Sequence, residues 1–167
     1  ENYSENPWQP TVMINFSNKH RSDQTEIMDD LDFQGIEMKN LLEDLKAVNK
    51  WLGGNTITID GIKKLLKNHS NSEKITILDI GCGDGELLRK CADFGNRNNF
   101  NFNCVGLDFN ENIIAFAKEK SRGYPNIKFQ KVDVFLEESL IPNCDIAICT
   151  LFLHHFSNEQ IEGLLKK

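Results

Sequence analysis

Residues 74–88, KITILDIGCGDGELL, constrain the fold more than any other stretch of the chain. Ile75, Ile77, Leu78 and Ile80 form a short, β-branched apolar run that reads as a buried strand. Glycines alternate at Gly81, Gly83 and Gly85, and a helical pattern starts at Glu86 and continues through Cys91. Strand, glycine turn and helix follow one another without a spacer. In a parallel sheet this order brings bare backbone and a helix N-terminus up to a ligand. The spacing is GxGxG, whereas a dinucleotide fingerprint places its third glycine where Glu86 stands. A nicotinamide-dependent oxidoreductase loses its best support on that count.

The alternation of helix and strand continues downstream. The first helix is expected to stop near Gly95, followed by an Asn-rich loop over 96–103, with strand signals resuming at Phe102, and a second strand in CVGLDF, residues 104–109. Asp108 ends that strand 25 residues after Gly83, close to the spacing at which a carboxylate meets the ribose of a nucleotide-like cofactor. Asn110 is placed to cap a helix with the face Ile113, Ile114, Phe116 and Ala117, which stops by Gly123 and Pro125. Residues 127–132 read as a third strand running into Asp133, and DIAICTL, residues 145–151, as a fourth that is apolar at nearly every position. Helices between strands make the sheet parallel, with right-handed crossovers. Ser157 and Gln160 have capping-box spacing and open a last helix.

Ahead of this unit the pattern is different. Residues 1–24 are polar, contain Pro7 and Pro10 and show no sustained period, so they read as an extended or poorly ordered arm; Arg21 there is either a carboxylate binder or a solvated surface charge. Over 34–52 the residues Met38, Leu41, Leu42, Leu45, Val48 and Leu52 recur at helical spacing, with Asp32 to cap the helix and Gly53 and Gly54 to stop it. A second helix is expected over 59–68, with Ile59, Ile62, Leu65 and Leu66 on one face and Thr58 as N-cap. Residues 25–70 thus form a two-helix cap before a domain at 71–167. The cap either covers the sheet or walls a ligand site, and Trp51 faces either a ligand or the core.

With 19 basic against 25 acidic residues the net charge is −6, and the only small basic cluster is Lys63, Lys64 and Lys67. That balance offers no broad attraction for nucleic acid or an anionic membrane. No apolar run approaches the roughly 18–20 residues that span a bilayer. The five cysteines, Cys82, Cys91, Cys104, Cys144 and Cys149, lack CxxC spacing and mostly lie in apolar patterns, as reduced core residues of a cytoplasmic protein do. The histidines have no ligand spacing with nearby carboxylates or cysteines, so no metal site is expected.

In LDIGCGDG, Asp79, the three glycines and Asp84 fall in place together, and the stretch resembles motif I of class I S-adenosylmethionine-dependent methyltransferases. The resemblance covers about residues 72–160. It implies an α/β, Rossmann-like parallel sheet of order 3-2-1-4, with S-adenosylmethionine as cofactor. The family's later strands do not follow, so the chain is expected to be the N-terminal part of a longer protein, with a fourth-strand edge that a second copy could pair. Of the three glycines counted to the cofactor site, Gly81 and Gly83 would leave room for its methionine and ribose portions, and Gly85 would admit the backbone geometry or close packing at the helix start; Asp79 would orient the cofactor's amine or only hold turn amides. Asp108 would accept from the ribose hydroxyls. Phe109 would stack on adenine or join the core, and Asp133 would accept from the adenine amino group or cap a turn. TLFLHHF, residues 150–156, lacks the Asn/Asp-Pro-Pro-aromatic loop of the family's nucleic-acid branches and resembles its small-molecule members. There His154 or His155 would take a proton from the acceptor or hydrogen-bond a turn. A non-catalytic module that binds the cofactor or a nucleotide is the alternative, and an NAD-dependent oxidoreductase comes third.

Overall fold

The computed structural model describes residues 34–51, 53–69 and 73–166. Strand β1 (Lys74–Ile80) is central because it is apolar on both sides. Ile75 and Ile77 point to one face of the sheet, Leu78 and Ile80 to the other, and all four are buried. β1 pairs in parallel with β2 (Asn101–Asp108) and with β4 (Ile146–Ile148), and β2 pairs in parallel with β3 (Ile127–Lys131). The resulting order, β3-β2-β1-β4, is the one expected from the sequence. Registers of Asp79 with Gly106 and of Asp108 with Lys131 bring the carboxyl ends of the strands to one edge.

Each face of the sheet has its own core. On one side Ile75, Ile77 and Cys104 meet Leu88, Cys91 and Phe94 of α3 (Glu86–Asn98), together with Ile114 of α4 (Glu111–Lys120). Ile62 and Leu66, from α2 (Gly54–Leu65) and the 3₁₀ turn after it, join the same cluster. On the other side Leu78, Ile80, Val105 and Leu107 meet Val132, Val134 and Leu164, the last from α5 (Asn158–Leu165). Burying one such aliphatic side chain is worth about 1.5–3 kcal/mol. A third cluster docks α1 (Gly35–Trp51) on α4 through Met38, Leu42, Ile113 and Phe116.

Several boundaries differ from the sequence reading, each for a local reason. α3 runs past Gly95 to Asn98, because Gly95 packs under Phe102 and does not stop the helix; a Cβ there would lie 2.7 Å from the ring. Asn99, at φ 60°, ends it, and β2 therefore begins at Asn101. α2 starts at Gly54 with Gly53 as its N-cap, so Thr58 is not the cap; its hydroxyl donates to the Gly54 carbonyl at 3.1 Å within the helix. The buried stripe is Ile62 and Leu66 with partly buried Ile59, and Leu65 is 64% exposed. Trp51 is 86% exposed, so it is not in the core, and it does not line the cavity at the carboxyl edge of the sheet. β4 is three residues, not seven, because the chain leaves the sheet after Ile148 and passes through Leu151 at φ 54° to lay Phe152 against Gly81.

The caps of α4 and α5 agree with the sequence. Asn110 Oδ1 accepts from the amides of Asn112 and Ile113, and Ser157 and Gln160 form a reciprocal capping box. All five cysteines are free, with Cys82, Cys91 and Cys104 buried. Among the described residues no helix is long and apolar enough to cross a membrane.

Candidate functional site

The glycine turn is held to the edge of the sheet by its own backbone: the amides of Gly81 and Cys82 both donate to the Leu107 carbonyl at 2.9 Å. Gly81, Gly83 and Gly85 all have positive φ, at 72°, 53° and 76°, a region that costs other L-residues strain. Their surroundings separate them. A Cβ on Gly81 would fall 2.4 Å from the Phe152 ring and one on Gly85 2.5 Å from the Phe129 ring, whereas one on Gly83 meets only Leu42 Cδ2, at 3.8 Å. Gly81 and Gly85 therefore let aromatic rings pack against the turn, and Gly83 leaves room for a methyl group in ordinary contact with Leu42. Asp84 locks the turn to α3: its carboxylate accepts from the Glu86 amide at 2.8 Å and pairs with Arg89 at 3.1 Å. Arg89 also donates to the Asp84 carbonyl at 2.6 Å and to Ser121 Oγ at 3.1 Å.

Two buried carboxyls flank this turn. Asp79 is 3% and Asp108 9% exposed. Asp108 Oδ2 accepts from the Gly83 amide at 3.2 Å and Oδ1 from the Asn110 amide at 3.1 Å. Burial pushes Asp79 up to about 8, and the charge of Asp108 adds to the rise. Burial pushes Asp108 up to about 6, against the amides of Asn110, Gly83 and Phe109, which favour its charged form. Among the described residues no cation offsets either effect. A positively charged group arriving here would meet carboxyls poised to ionise in its favour.

The turn and the carboxyls form the floor of a cavity of about 390 Å³, within the range of small-ligand sites. Phe109 lines it beside Asp108. The opposite wall is the cap: Leu42, Leu45, Lys46 and Asn49 of α1, and Asn55 at the start of α2. Thr150, Phe152 and His154 close the side beyond β4. The cap does both: α1 and the start of α2 wall the cavity, and the rest of α2 covers the core through Ile62.

Of the residues singled out by sequence, Asp79, Gly81, Gly83, Asp108, Phe109 and His154 come together here. Gly85 lies behind the turn against Phe129. Asp133 is not part of the lining; its Oδ1 accepts from the amides of Phe135 and Leu136 at 2.9 and 3.2 Å, capping the turn after β3. Arg21 and the side chain of His155 lie outside the described residues. Sequence reasoning missed Lys46, Asn49 and Asn55. The first two had a signal: with Leu42 and Leu45 they stand at i, i+3, i+4 and i+7, so a polar pair shares the apolar face.

Comparison with known proteins places this geometry in a family. A family model described as a methyltransferase domain matches residues 71–162, more than half of the chain. The chain is 26% identical over 143 residues to "Putative methyltransferase 235L" of Invertebrate iridescent virus 6, covering 79% of this chain and 42% of that protein. A second relative from Geobacillus sp. (strain WCH70), also named a putative methyltransferase, is 37% identical over 60 residues, 36% of this chain and 22% of its own length. The chain therefore spans less than half of either relative. Among solved structures, the CurJ carbon methyltransferase has a similar fold, with a TM-score of 0.58 at 24% identity over 67% of this chain and 31% of that one. The magnesium protoporphyrin IX methyltransferase of Synechocystis PCC 6803, solved with bound SAH, gives a TM-score of 0.52 at 24% identity over 68% of this chain and 49% of that one. On the match to residues 71–162, the chain belongs to the methyltransferase-domain family.

Proposed function

We propose that the protein binds S-adenosylmethionine in the cavity at the carboxyl edge of the sheet and transfers its methyl group to a small-molecule acceptor. The observation that carries this reading is the pair of buried carboxyls, Asp79 and Asp108, that line one cavity with Gly83, where a side chain would meet only Leu42 of the cap. The residues fit the group. Gly83 leaves room for close approach, Asp79 favours an ammonium or sulfonium, and Asp108 has two acceptor oxygens for a ribose diol. Phe109, half-buried beside Asp108, offers a ring face to adenine. Asp133 serves in this reading as the cap of the turn after β3. When bound, the cofactor supplies a methyl group on positively charged sulfur, an electrophile open to an adjacent nucleophile.

The chain's own part is to bind, orient and exclude water. α1 lays Leu42 and Leu45 over the site, and Phe152 closes the side against Gly81. His154 lines the same cavity, where a neutral imidazole can take the proton of an acceptor hydroxyl. A cavity of this size roofed by the cap fits a small acceptor. The three buried free thiols fit a reducing cytoplasm. Within the described sheet β4 is an edge strand that pairs with β1, and we place a second copy along its outer edge in solution. In this division of labour residues 71–162 form the floor of the cofactor site, and the cap closes it from the other side and borders the acceptor space.

Isothermal titration with S-adenosylmethionine, S-adenosylhomocysteine and NAD tests the cofactor, and methyl release by the full-length protein tests transfer. Saturable binding of the first two and none of NAD is expected. Binding of NAD alone, or of nothing, contradicts the proposal.

A further inference from the structure

We propose that Asn55 is a ligand-binding residue whose side-chain amide donates to the carboxylate at the amino-acid end of the bound cofactor; the inference rests on the cofactor reading above. Asn55 is 7% exposed, and among the described residues its Nδ2 is the buried side-chain polar atom that has no hydrogen-bond partner. Buried donors are nearly always satisfied, so an unmet one at the wall of a cavity calls for an acceptor that arrives with a ligand.

The position of Asn55 says what that acceptor is. It is the second residue of α2, a helix of 12 residues, so the amide sits at the positive end of the helix, which favours an anion. Lys46 of α1 lines the same cavity and adds positive charge on the cap side. The opposite floor carries Asp79 and Asp108. A cavity with carboxyls on its floor and donors on its cap wall is complementary to a zwitterion, with the ammonium toward Asp79 and the carboxylate toward Asn55. The closeness of the two walls supports this: Leu42 Cδ2 stands only 3.8 Å from the point where a Gly83 Cβ would lie.

The test uses two probes that share the nucleoside and differ at the amino-acid end: S-adenosylhomocysteine, and 5′-methylthioadenosine, which has neither amine nor carboxylate. Titration of the wild-type chain and of Asn55→Leu, whose side chain has the same branching and heavy-atom count but lacks the donor, is paired with melting of the ligand-free proteins. Asn55→Leu is expected to weaken S-adenosylhomocysteine about tenfold and leave 5′-methylthioadenosine within about twofold. It should also leave the ligand-free melting temperature unchanged or raise it, since it removes an unmet polar group. Asn55→Ala, compatible with any helix position, gives a second variant for which the same split between probes is expected. Unchanged S-adenosylhomocysteine affinity, equal weakening of both probes, or a melting temperature that falls in Asn55→Leu while affinity holds would overturn the assignment. Wild-type protein that binds neither probe would instead overturn the cofactor reading, and this assignment with it.

Discussion

Single residues in the glycine turn have separable jobs. Gly83→Ala places a methyl group where the structure has space, so its cost in stability is the left-handed backbone alone, about 1–2 kcal/mol or roughly 2–8 °C in melting temperature. Its larger effect should be on cofactor affinity, read by titration. Gly81→Ala and Gly85→Ala drive a methyl group into the rings of Phe152 and Phe129, adding overpacking of about 1–3 kcal/mol to the same strain. Those two should fail first in melting. An equal loss of stability in all three variants would show that Gly83 is no more open than its neighbours. Asp79 and Asp108 make the site respond to pH. Their ordinary value is 3.8, and burial raises them to about 8 and about 6, so between these limits the folded chain holds protons that the unfolded chain has lost. Stability contributed by the two groups is complete below about pH 4 and is lost as pH rises toward 8. Asp79→Asn should flatten that decline in a pH series of melting curves. A ligand-free wild type whose pH-dependent decline equals that of the Asp79→Asn variant would contradict the buried, proton-holding carboxyl. Asp108 also holds the amides of Gly83 and Asn110, so Asp108→Ala should lower both affinity, at least about tenfold, and melting temperature.

At the scale of elements, α1 of the cap is held to the domain by one small cluster. α1 meets α4 through Met38, Leu42, Ile113 and Phe116, with Lys39 and Lys120 over the Phe116 ring at 5.6 and 5.0 Å. Leu42→Ala removes a buried contact of the kind that costs about 2–5 kcal/mol in a well-packed core. Here the loss should appear as release of α1: faster cleavage in limited proteolysis within residues 35–51 and weaker ligand binding. Cleavage no faster than in wild type would mean that α1 is held by other contacts. Glu43→Gln breaks the exposed 3.2 Å pair with Lys120 and should hardly move the melting temperature. The sequence showed these elements unevenly. β1, the turn and the Asn110 cap were legible because β-branched runs, glycine spacing and side-chain capping are local. The end of α3 was not, since Gly95 looks like a stop until Phe102, seven residues on, comes back to lie on it. The extent of β4 was hidden for a similar reason: an apolar run such as DIAICTL suits a strand or a segment folding over a turn, and the packing of Phe152 on Gly81 decides which.

At the scale of the whole molecule, the described residues form a parallel sheet whose carboxyl edge is roofed by a helix from outside the matched family region, since α1 precedes residue 71. Asp108 was legible because strand ends mark the ligand edge of open α/β sheets, and Asp79 through its place in LDIGCGDG, whereas Asp133, also at a strand end, caps a turn outside the cavity lining. The roof was not legible, because contact between α1 and the glycine turn is long-range and leaves no local pattern except Lys46 and Asn49 on the apolar face. The central claim, that cap and glycine turn enclose one cofactor site, is tested most directly by amide hydrogen exchange with and without S-adenosylhomocysteine. Exchange should slow together in residues 81–85, in 108–113 and in 42–55. Slowing confined to other regions, or slowing of the turn with no change across α1 and the start of α2, would contradict it.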